Sequence, residues 1–376
     1  MRAKVAVLGA TGSIGKSALD ALSRMRAAFD VVLLSAHSDR AGLDLAARDW
    51  PNAASELSGD SGGRARLLRA IADCGAQVIV NGISGAAGLE PSMAALQAGA
   101  DLALANKETI VMAGALVMRA AEENGALVIP VDSEHSAIYA LLEGQQYSEV
   151  QEIILTASGG PFRNRSLAEM ERASPAEALA HPTWNMGAKI SVDSASMANK
   201  GLEVIEAARL FGFPPEKIKV VVHPQSVVHS MIAMKDGAVY AQLSRPDMRL
   251  PISQALRWSR AGRAAIEVVG EGESAAFGRL DFSGLALEFF PPDFARFPFL
   301  ALAYEAVKKG GLYPCAYNAA NEAAVAAFLA GRIGFLDMAR ITGYILEADW
   351  GTEPANVAQV MEADARARDM AEREIK

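Results

Sequence analysis

The sequence predicts an α/β protein: an N-terminal doubly wound, Rossmann-like parallel sheet, a central α+β domain with a lid loop, and a C-terminal helical domain. Three observations carry this. Lys4-Val-Ala-Val-Leu-Gly9 is a short apolar strand that runs into Gly9-Ala-Thr-Gly12-Ser-Ile-Gly15, and Ser17 to Arg26 then carries apolar residues at helical spacing. Strand and helix signals alternate up to residue 131, as a doubly wound sheet requires. From Phe299 to the end the pattern is helical, with Tyr304-Glu-Ala-Val and Asn318-Ala-Ala-Asn-Glu-Ala-Ala-Val as clear segments.

With 376 residues the chain is long enough for two or three domains with real cores. A net charge of −8 and no Lys/Arg run count against a nucleic-acid surface. An anionic ligand would need locally placed cations against that balance. Cys74 and Cys315 are the only cysteines and form no C-x-x-C, which argues against a disulfide framework or a structural zinc site. No apolar run reaches membrane-spanning length, and the first residues already read as a strand rather than a signal peptide. The expected setting is the cytoplasm, with no membrane partner.

The glycine turn lets the backbone approach a pyrophosphate, and the helix after it offers unpaired N–H groups and a positive dipole end. Its spacing is G-x-x-G-x-x-G, so its placement between a first strand and a helix gives it weight. The second strand, Val31-Val-Leu-Leu34, ends in Ser35-Ala-His37-Ser38 with no acidic residue for a ribose hydroxyl, which favours NADP over NAD. Residues 41–76 read as two helices around a polar segment from Ser55 to Gly63. Gln77-Val-Ile-Val80 and Leu102-Ala-Leu-Ala105 are buried strands, the second ending in Asn106-Lys107-Glu108. Ala126-Leu-Val-Ile-Pro-Val131 is another, followed by Asp132-Ser-Glu134-His-Ser136. If the chain stays extended there, Asp132 and Glu134 point to one side, and paired carboxylates call for a hard divalent cation. A lone D-x-E also reads as a solvated loop. In a doubly wound sheet all these strand ends gather at one edge, where ligands bind.

Glu152-Ile-Ile-Leu-Thr156 is a strand ending in Ala157-Ser158-Gly-Gly160, a backbone nest suited to an anion. Ser166 to Ala180 reads as helical and leads to His181-Pro-Thr-Trp184-Asn-Met186-Gly187. That turn-rich segment is either a loop around a packed Trp or a lid closing over a ligand. Ile190 to Glu203 starts polar and turns helical by about Leu202, with Lys200 and Glu203 neighbours at i, i+3. Val220-Val-Val222 and Gly237 to Leu243 are strands, and residues 260–298, rich in Gly, Pro and Phe, read as a linker. His135, His223 and His229 read as hydrogen-bonded histidines, either of the core or supporting the site from behind.

Gly9-Ala-Thr-Gly-Ser-Ile-Gly15, Ala105-Asn-Lys-Glu108, Pro130-Val-Asp-Ser-Glu-His135, Ala157-Ser-Gly-Gly-Pro-Phe162, His181-Pro-Thr-Trp-Asn-Met-Gly187, Ile190-Ser-Val-Asp-Ser194, Asn199-Lys-Gly-Leu-Glu203 and His223-Pro-Gln-Ser-Val-Val-His-Ser230 occur together and in order. Over nearly its whole length the chain resembles the 1-deoxy-D-xylulose 5-phosphate reductoisomerases, NADPH-dependent enzymes of the non-mevalonate isoprenoid pathway. The resemblance implies a homodimer of V-shaped subunits acting on a sugar phosphate with NADPH and Mg or Mn, with Co as a substitute. It implies an NADPH-binding domain at 1–131, a catalytic, metal-binding and dimerisation domain at 132–259, the linker at 260–298 and a helical domain at 299–376. Asp132, Glu134 and Glu203 would bind the metal and, with Lys107, form the catalytic set. Lys107, Ser133, Glu134, Ser158, His181, Trp184, Met186, Ser194, Asn199, Lys200 and Glu203 would contact substrate. Thr11, Gly12, Ser13, Ile14, Asn106, Glu108 and Gly187 would contact NADPH. The family's Gly-basic-Asn trio after the second strand is here Ala36-His37-Ser38, which would meet the 2′-phosphate. Two rivals are a metal-free NADP-dependent dehydrogenase and a non-catalytic dinucleotide sensor. The first gives no use for the three carboxylates, and the second none for the polar run from Ser158 to Lys200.

Overall fold

The computed structural model describes residues 2–184, 186–269 and 277–376; of residues 268 and 269 it describes the backbone alone. The chain divides into two compact units. One takes Met1–Thr109, Val117–Tyr139 and Asp247–Leu280, and the other Ile110–Leu116, Ala140–Pro246 and Asp281–Lys376.

In the first unit β1 (Ala3–Leu8), β2 (Phe29–Ala36), β3 (Ala54–Leu57), β4 (Val78–Asn81), β5 (Asp101–Leu104) and β6 (Val128–Pro130) form a parallel sheet in the order β3-β2-β1-β4-β5-β6. The connecting helices are α1 (Ser13–Arg24), α2 (Arg40–Asp49), α3 (Gly63–Asp73), α4 (Leu89–Gln97), α5 (Lys107–Glu123) and α6 (Ser133–Leu142). Every residue of β4 and β5 is buried, as expected of strands covered by helices on both faces. α1 turns Ala18, Ala21 and Leu22 inward onto that sheet. The strand order reverses direction between β1 and β4, the switch point where such sheets open a crevice. The strand ends at Leu8, Ala36, Leu104 and Pro130 therefore share one edge, as the sequence leads one to expect.

Two local readings are corrected here. The segment 41–76 contains β3 between its helices; only Leu57 of this edge strand is fully buried, so its apolar signal is faint. Asp132 and Glu134 do not extend a strand. β6 stops at Pro130, and Asp132 Oδ1 accepts from the backbone N–H of Glu134 and His135, at 3.2 and 3.3 Å, which starts α6.

The second unit holds β7 (Val150–Ala157), β8 (Ile218–Val222), β9 (Val228–Met234) and β10 (Val239–Leu243) in the order β10-β9-β7-β8. β7 and β8 are parallel, and β9 is antiparallel to both β7 and β10. The stretch from Ser166 to Ala180 is two short helices, α7 (Leu167–Glu171) and α8 (Pro175–Leu179). Each begins at its own capping box, Ser166 with Glu169 and Ser174 with Glu177, and Pro175 cannot continue the first helix. α9 (Ala188–Ala195) and α10 (Ala198–Phe211) follow, so the polar run before Leu202 is helical earlier than its composition implies.

The chain then returns to the first unit as α11 (Arg249–Trp258) and α12 (Arg260–Val269). Ile252, Leu256 and Ala265 enter the core built by Val5, Val7 and Phe29. α12 occupies the start of the stretch expected to be a linker, of which residues 270–276 lie outside the described residues. The last elements, α13 (Pro298–Lys309), α14 (Tyr313–Leu329), α15 (Asp337–Ile345) and α16 (Val357–Ile375), are the expected C-terminal helices, with α14 buried along almost its whole length. No helix among the described residues is long and apolar enough to cross a membrane.

A fully buried carboxylate fastens α12 to the sheet. Asp101 accepts from Arg260 N at 2.7 Å, Arg260 Nε at 2.8 Å and Leu127 N at 2.9 Å. Losing bonds to a charged acceptor leaves Leu127 N–H without its partner, so Asp101→Ala should lower stability by about 3 kcal/mol, measured by urea unfolding.

Candidate active site

In the first unit the glycine turn joins β1 to α1. Gly9 has φ +76°, and a Cβ on Gly15 would lie 2.2 Å from the Gly9 carbonyl oxygen, so a side chain at either position would deform the turn. Gly12 is the N-cap of α1, and no side chain caps that helix. Thr11 precedes it, and Ser13 and Ile14 form the first helical turn, whose N–H groups and dipole suit a pyrophosphate. A dinucleotide fits the residues present here. At the end of β2, Ala36 is buried while His37 and Ser38 are exposed. Ser58 N and Gly59 N donate to the carbonyls of Ala36 and His37, and His37 Nδ1 lies 3.3 Å from Ser58 Oγ.

Asn106 caps α5, its Oδ1 accepting from Thr109 N at 2.9 Å. Its Nδ2 donates to Ile83 O, Gly85 O and Glu108 Oε2, so it ties the loop after β4 to the start of α5. Lys107, buried beside it, places Nζ 2.5 Å from Asp132 Oδ2. Ser133 Oγ donates to Glu134 in the first turn of α6, and His135, fully buried, lies 3.2 Å from Asp132 Oδ1. Asp132 and Glu134 thus sit at a helix N-terminus, and Lys107 is brought to the first of them.

In the second unit Ser158, at the end of β7, meets His181, with Oγ and Nε2 3.0 Å apart. His181 Nδ1 accepts from the backbone N–H of Thr183 at 3.1 Å and of Trp184 at 2.9 Å. The ring proton is therefore on Nε2, and the imidazole donates to Ser158 as a neutral group. Burial lowers the His181 pKa from its ordinary value. The Trp184 ring lies 6.4 Å from that of His229. Met186 is half-buried, Gly187 is the N-cap of α9, and Asn185 lies outside the described residues.

Ser194 sits near the end of α9, half-buried. α9 breaks at Met197, which is buried in the left-handed region at φ 63° and becomes the N-cap of α10. A non-glycine residue there is strained, and such strain gathers where geometry serves function. On α10, Asn199 Nδ2 donates to Glu203 Oε1 at 2.6 Å, and Lys200 pairs with Glu203 Oε2. Glu203 is fully buried and Lys200 nearly so, so the i, i+3 pair expected from spacing is an ion pair. All the candidate metal ligands offer carboxylate oxygen, which fits Mg or Mn better than zinc.

His223 and His229 are buried as read: His223 Nδ1 donates to Glu288 O, and its Nε2 accepts from Val227 N and Val228 N. Sequence reasoning gave no role to Asp193 or to Asn321, whose side chains meet at 2.7 Å. The available signal was a pair of asparagines in the alanine-rich α14.

Models of the family described as 1-deoxy-D-xylulose 5-phosphate reductoisomerase match residues 5–58 and 60–114, and its C-terminal domains match 128–211 and 243–370. A 1-deoxy-D-xylulose 5-phosphate reductoisomerase of Treponema denticola is 45% identical, over 98% of this chain and 96% of its own. One of Chlorobium phaeovibrioides is 45% identical over 99% and 98%. The crystallised enzyme of Zymomonas mobilis in complex with NADPH superposes with a TM-score of 0.88 at 40% identity, covering 100% of both chains. A DOX-P reductoisomerase in complex with NADPH, fosmidomycin and magnesium superposes with a TM-score of 0.88 at 36% identity, covering 99% of this chain and 98% of its own.

The His181 arrangement has a pH signature. Its folded-state pKa is lowered, so below about pH 6.5 the unfolded chain binds more protons than the folded one. The stabilisation is complete above that pH and is lost as the pH falls through the lowered value. Ring ¹⁵N NMR should show a proton on Nε2 at neutral pH and a titration midpoint below that of a free imidazole.

Proposed function

The chain belongs to the 1-deoxy-D-xylulose 5-phosphate reductoisomerase family, and from that premise we propose how its residues divide the reaction. It is an NADPH- and divalent-metal-dependent enzyme that rearranges and reduces 1-deoxy-D-xylulose 5-phosphate to 2-C-methyl-D-erythritol 4-phosphate, in non-mevalonate isoprenoid precursor synthesis.

Asp132, Glu134 and Glu203 are assigned to the metal, because carboxylate oxygens are the ligands a hard divalent cation takes. What carries this assignment is that Asp132 and Glu203 are each drawn out of water beside a lysine, which keeps a negative charge at both places. A Mg or Mn ion held by these carboxylates would supply Lewis-acid polarisation of the substrate carbonyl and a neighbouring hydroxyl. NADPH supplies the hydride, and the protein supplies position. Lys107 faces the reacting oxygens, where its ammonium offsets developing negative charge. Ser133 and Glu134 hold the same end of the substrate. The phosphate is assigned to Ser158, Ser194, Asn199 and Lys200, with His181 donating through Nε2 to the Ser158 hydroxyl, whose own proton is then left for the phosphate. Trp184 and Met186 cover the substrate carbons and exclude water. Thr11 to Ile14 take the pyrophosphate, Asn106, Glu108 and Gly187 the nicotinamide end, and Ala36-His37-Ser38 the 2′-phosphate.

We assign the enzyme to the cytoplasm, a reducing compartment that suits its two free cysteines. Its partner is a second copy. Edge strand β10 exposes Val239 and Tyr240, and the later segment of the same unit exposes Phe282, Phe289, Phe290 and Phe294. An unpaired apolar strand edge of this kind invites a matching chain.

Chelation should abolish NADPH oxidation with 1-deoxyxylulose 5-phosphate, and added Mg or Mn should restore it. Activity that survives chelation would sink the metal assignment. Glu203→Gln should lower kcat at least about 100-fold with NADPH Kd little changed; equal losses in both would place Glu203 elsewhere. Sedimentation equilibrium should give twice the chain mass, and Tyr240→Glu should shift it toward monomer.

A further inference from the structure

We propose that Asp193 is a positioning residue: through Asn321 it registers α9, and with it Ser194, against helix α14 for the phosphate end of the substrate. The inference rests on the assignment of Ser194 to that phosphate. Asp193 is 1% exposed, and its Oδ1 accepts from Asn321 Nδ2 at 2.7 Å across 128 residues of chain. Asn321 is fully buried, and its own Oδ1 has no hydrogen-bond partner among the described residues. Asp193 Oδ2 lies 2.9 Å from Lys189 Nζ, an ion pair to the first turn of α9, two residues after Gly187. The same carboxylate therefore fastens the segment where the lid ends.

A second contact one turn earlier on α14 extends the arrangement. Tyr317 is fully buried, and its hydroxyl donates to Ala198 O at 3.5 Å and Phe299 O at 3.2 Å. A Cβ on Gly201 would lie 2.4 Å from that hydroxyl, so α10 approaches α14 as closely as glycine allows. Residues 317 and 321 share one helix face. One of them holds the end of α9 and the other the start of α10. Between these two anchors lies the left-handed joint at Met197. Both carboxylate oxygens of Asp193 are engaged by Asn321 and Lys189, so its effect passes through the placement of Ser194, Asn199 and Lys200.

The test measures the sugar-phosphate KM, kcat and NADPH Kd of the full-length enzyme with Mg present. Asn321→Ala should raise KM roughly tenfold or more, with NADPH Kd unchanged. The exchange Asp193→Asn with Asn321→Asp keeps one amide facing one carboxylate and should recover most of that loss. Asn321→Asp alone, which sets two carboxylates face to face, should be worse than the exchange. This comparison replaces Asn321→Ala if that variant does not fold. An unchanged KM in folded Asn321→Ala, a parallel loss of NADPH affinity, or an exchange no better than its parent single variants would overturn the inference. Ser194→Ala separates the two layers. If it leaves KM unchanged, the phosphate assignment fails; if it raises KM while Asn321→Ala does not, only the positioning role fails.

Discussion

A carboxylate drawn out of water must be met by a cation or by several donors, because its desolvation is otherwise not recovered. Much of this molecule's arrangement follows from meeting that demand repeatedly. Asp101 is met by Arg260 and the backbone of Leu127, which brings α12 back to the sheet. Asp132 is met by Lys107 and by the first N–H groups of α6. Glu203 is met by Lys200 and Asn199 from its own helix, and Asp193 by Lys189 and Asn321. In the last three cases the partner lies within a few residues of a group assigned to substrate or cofactor. The same pairs that make burial tolerable thus set the positions of the polar groups around them.

The two units solve different problems with this device. The parallel sheet gathers its strand ends because every strand runs the same way, so the glycine turn, the β2 end, Asn106 and Asp132 share an edge by topology alone. The other unit has a mixed sheet with an antiparallel member, which gives no such gathering. There the polar groups are brought together by helix caps and joints: Ser158 to His181, Lys200 to Glu203, Asp193 to α14.

That difference explains what could be read from residues alone. The glycine turn, the strand ends and the Lys200–Glu203 spacing are short-range features, and strand alternation or helical period reports them directly. β3 escaped because three of its four residues are not fully buried. The residues before Asp132 and Glu134 look like a strand, which suggests an extended chain there; the aspartate ends that strand by capping the next helix. α12 was hidden in a window whose glycines, prolines and phenylalanines dominate its composition. Asp193 with Asn321 joins positions with no local relation, and no periodicity reports a contact across 128 residues.

The left-handed Met197 constrains how this chain drifts through sequence space. Branching at Cβ is barred there by sterics, since valine or isoleucine in that backbone region crowds its own carbonyl. Glycine relieves the crowding but frees the unfolded backbone. Inserting or deleting one residue near it would rotate everything downstream by about 100° around the α10 axis, turning Glu203 away from its present heading. The bend is thus tolerant of neither bulk nor slack, and the helix pair it joins must vary as a block.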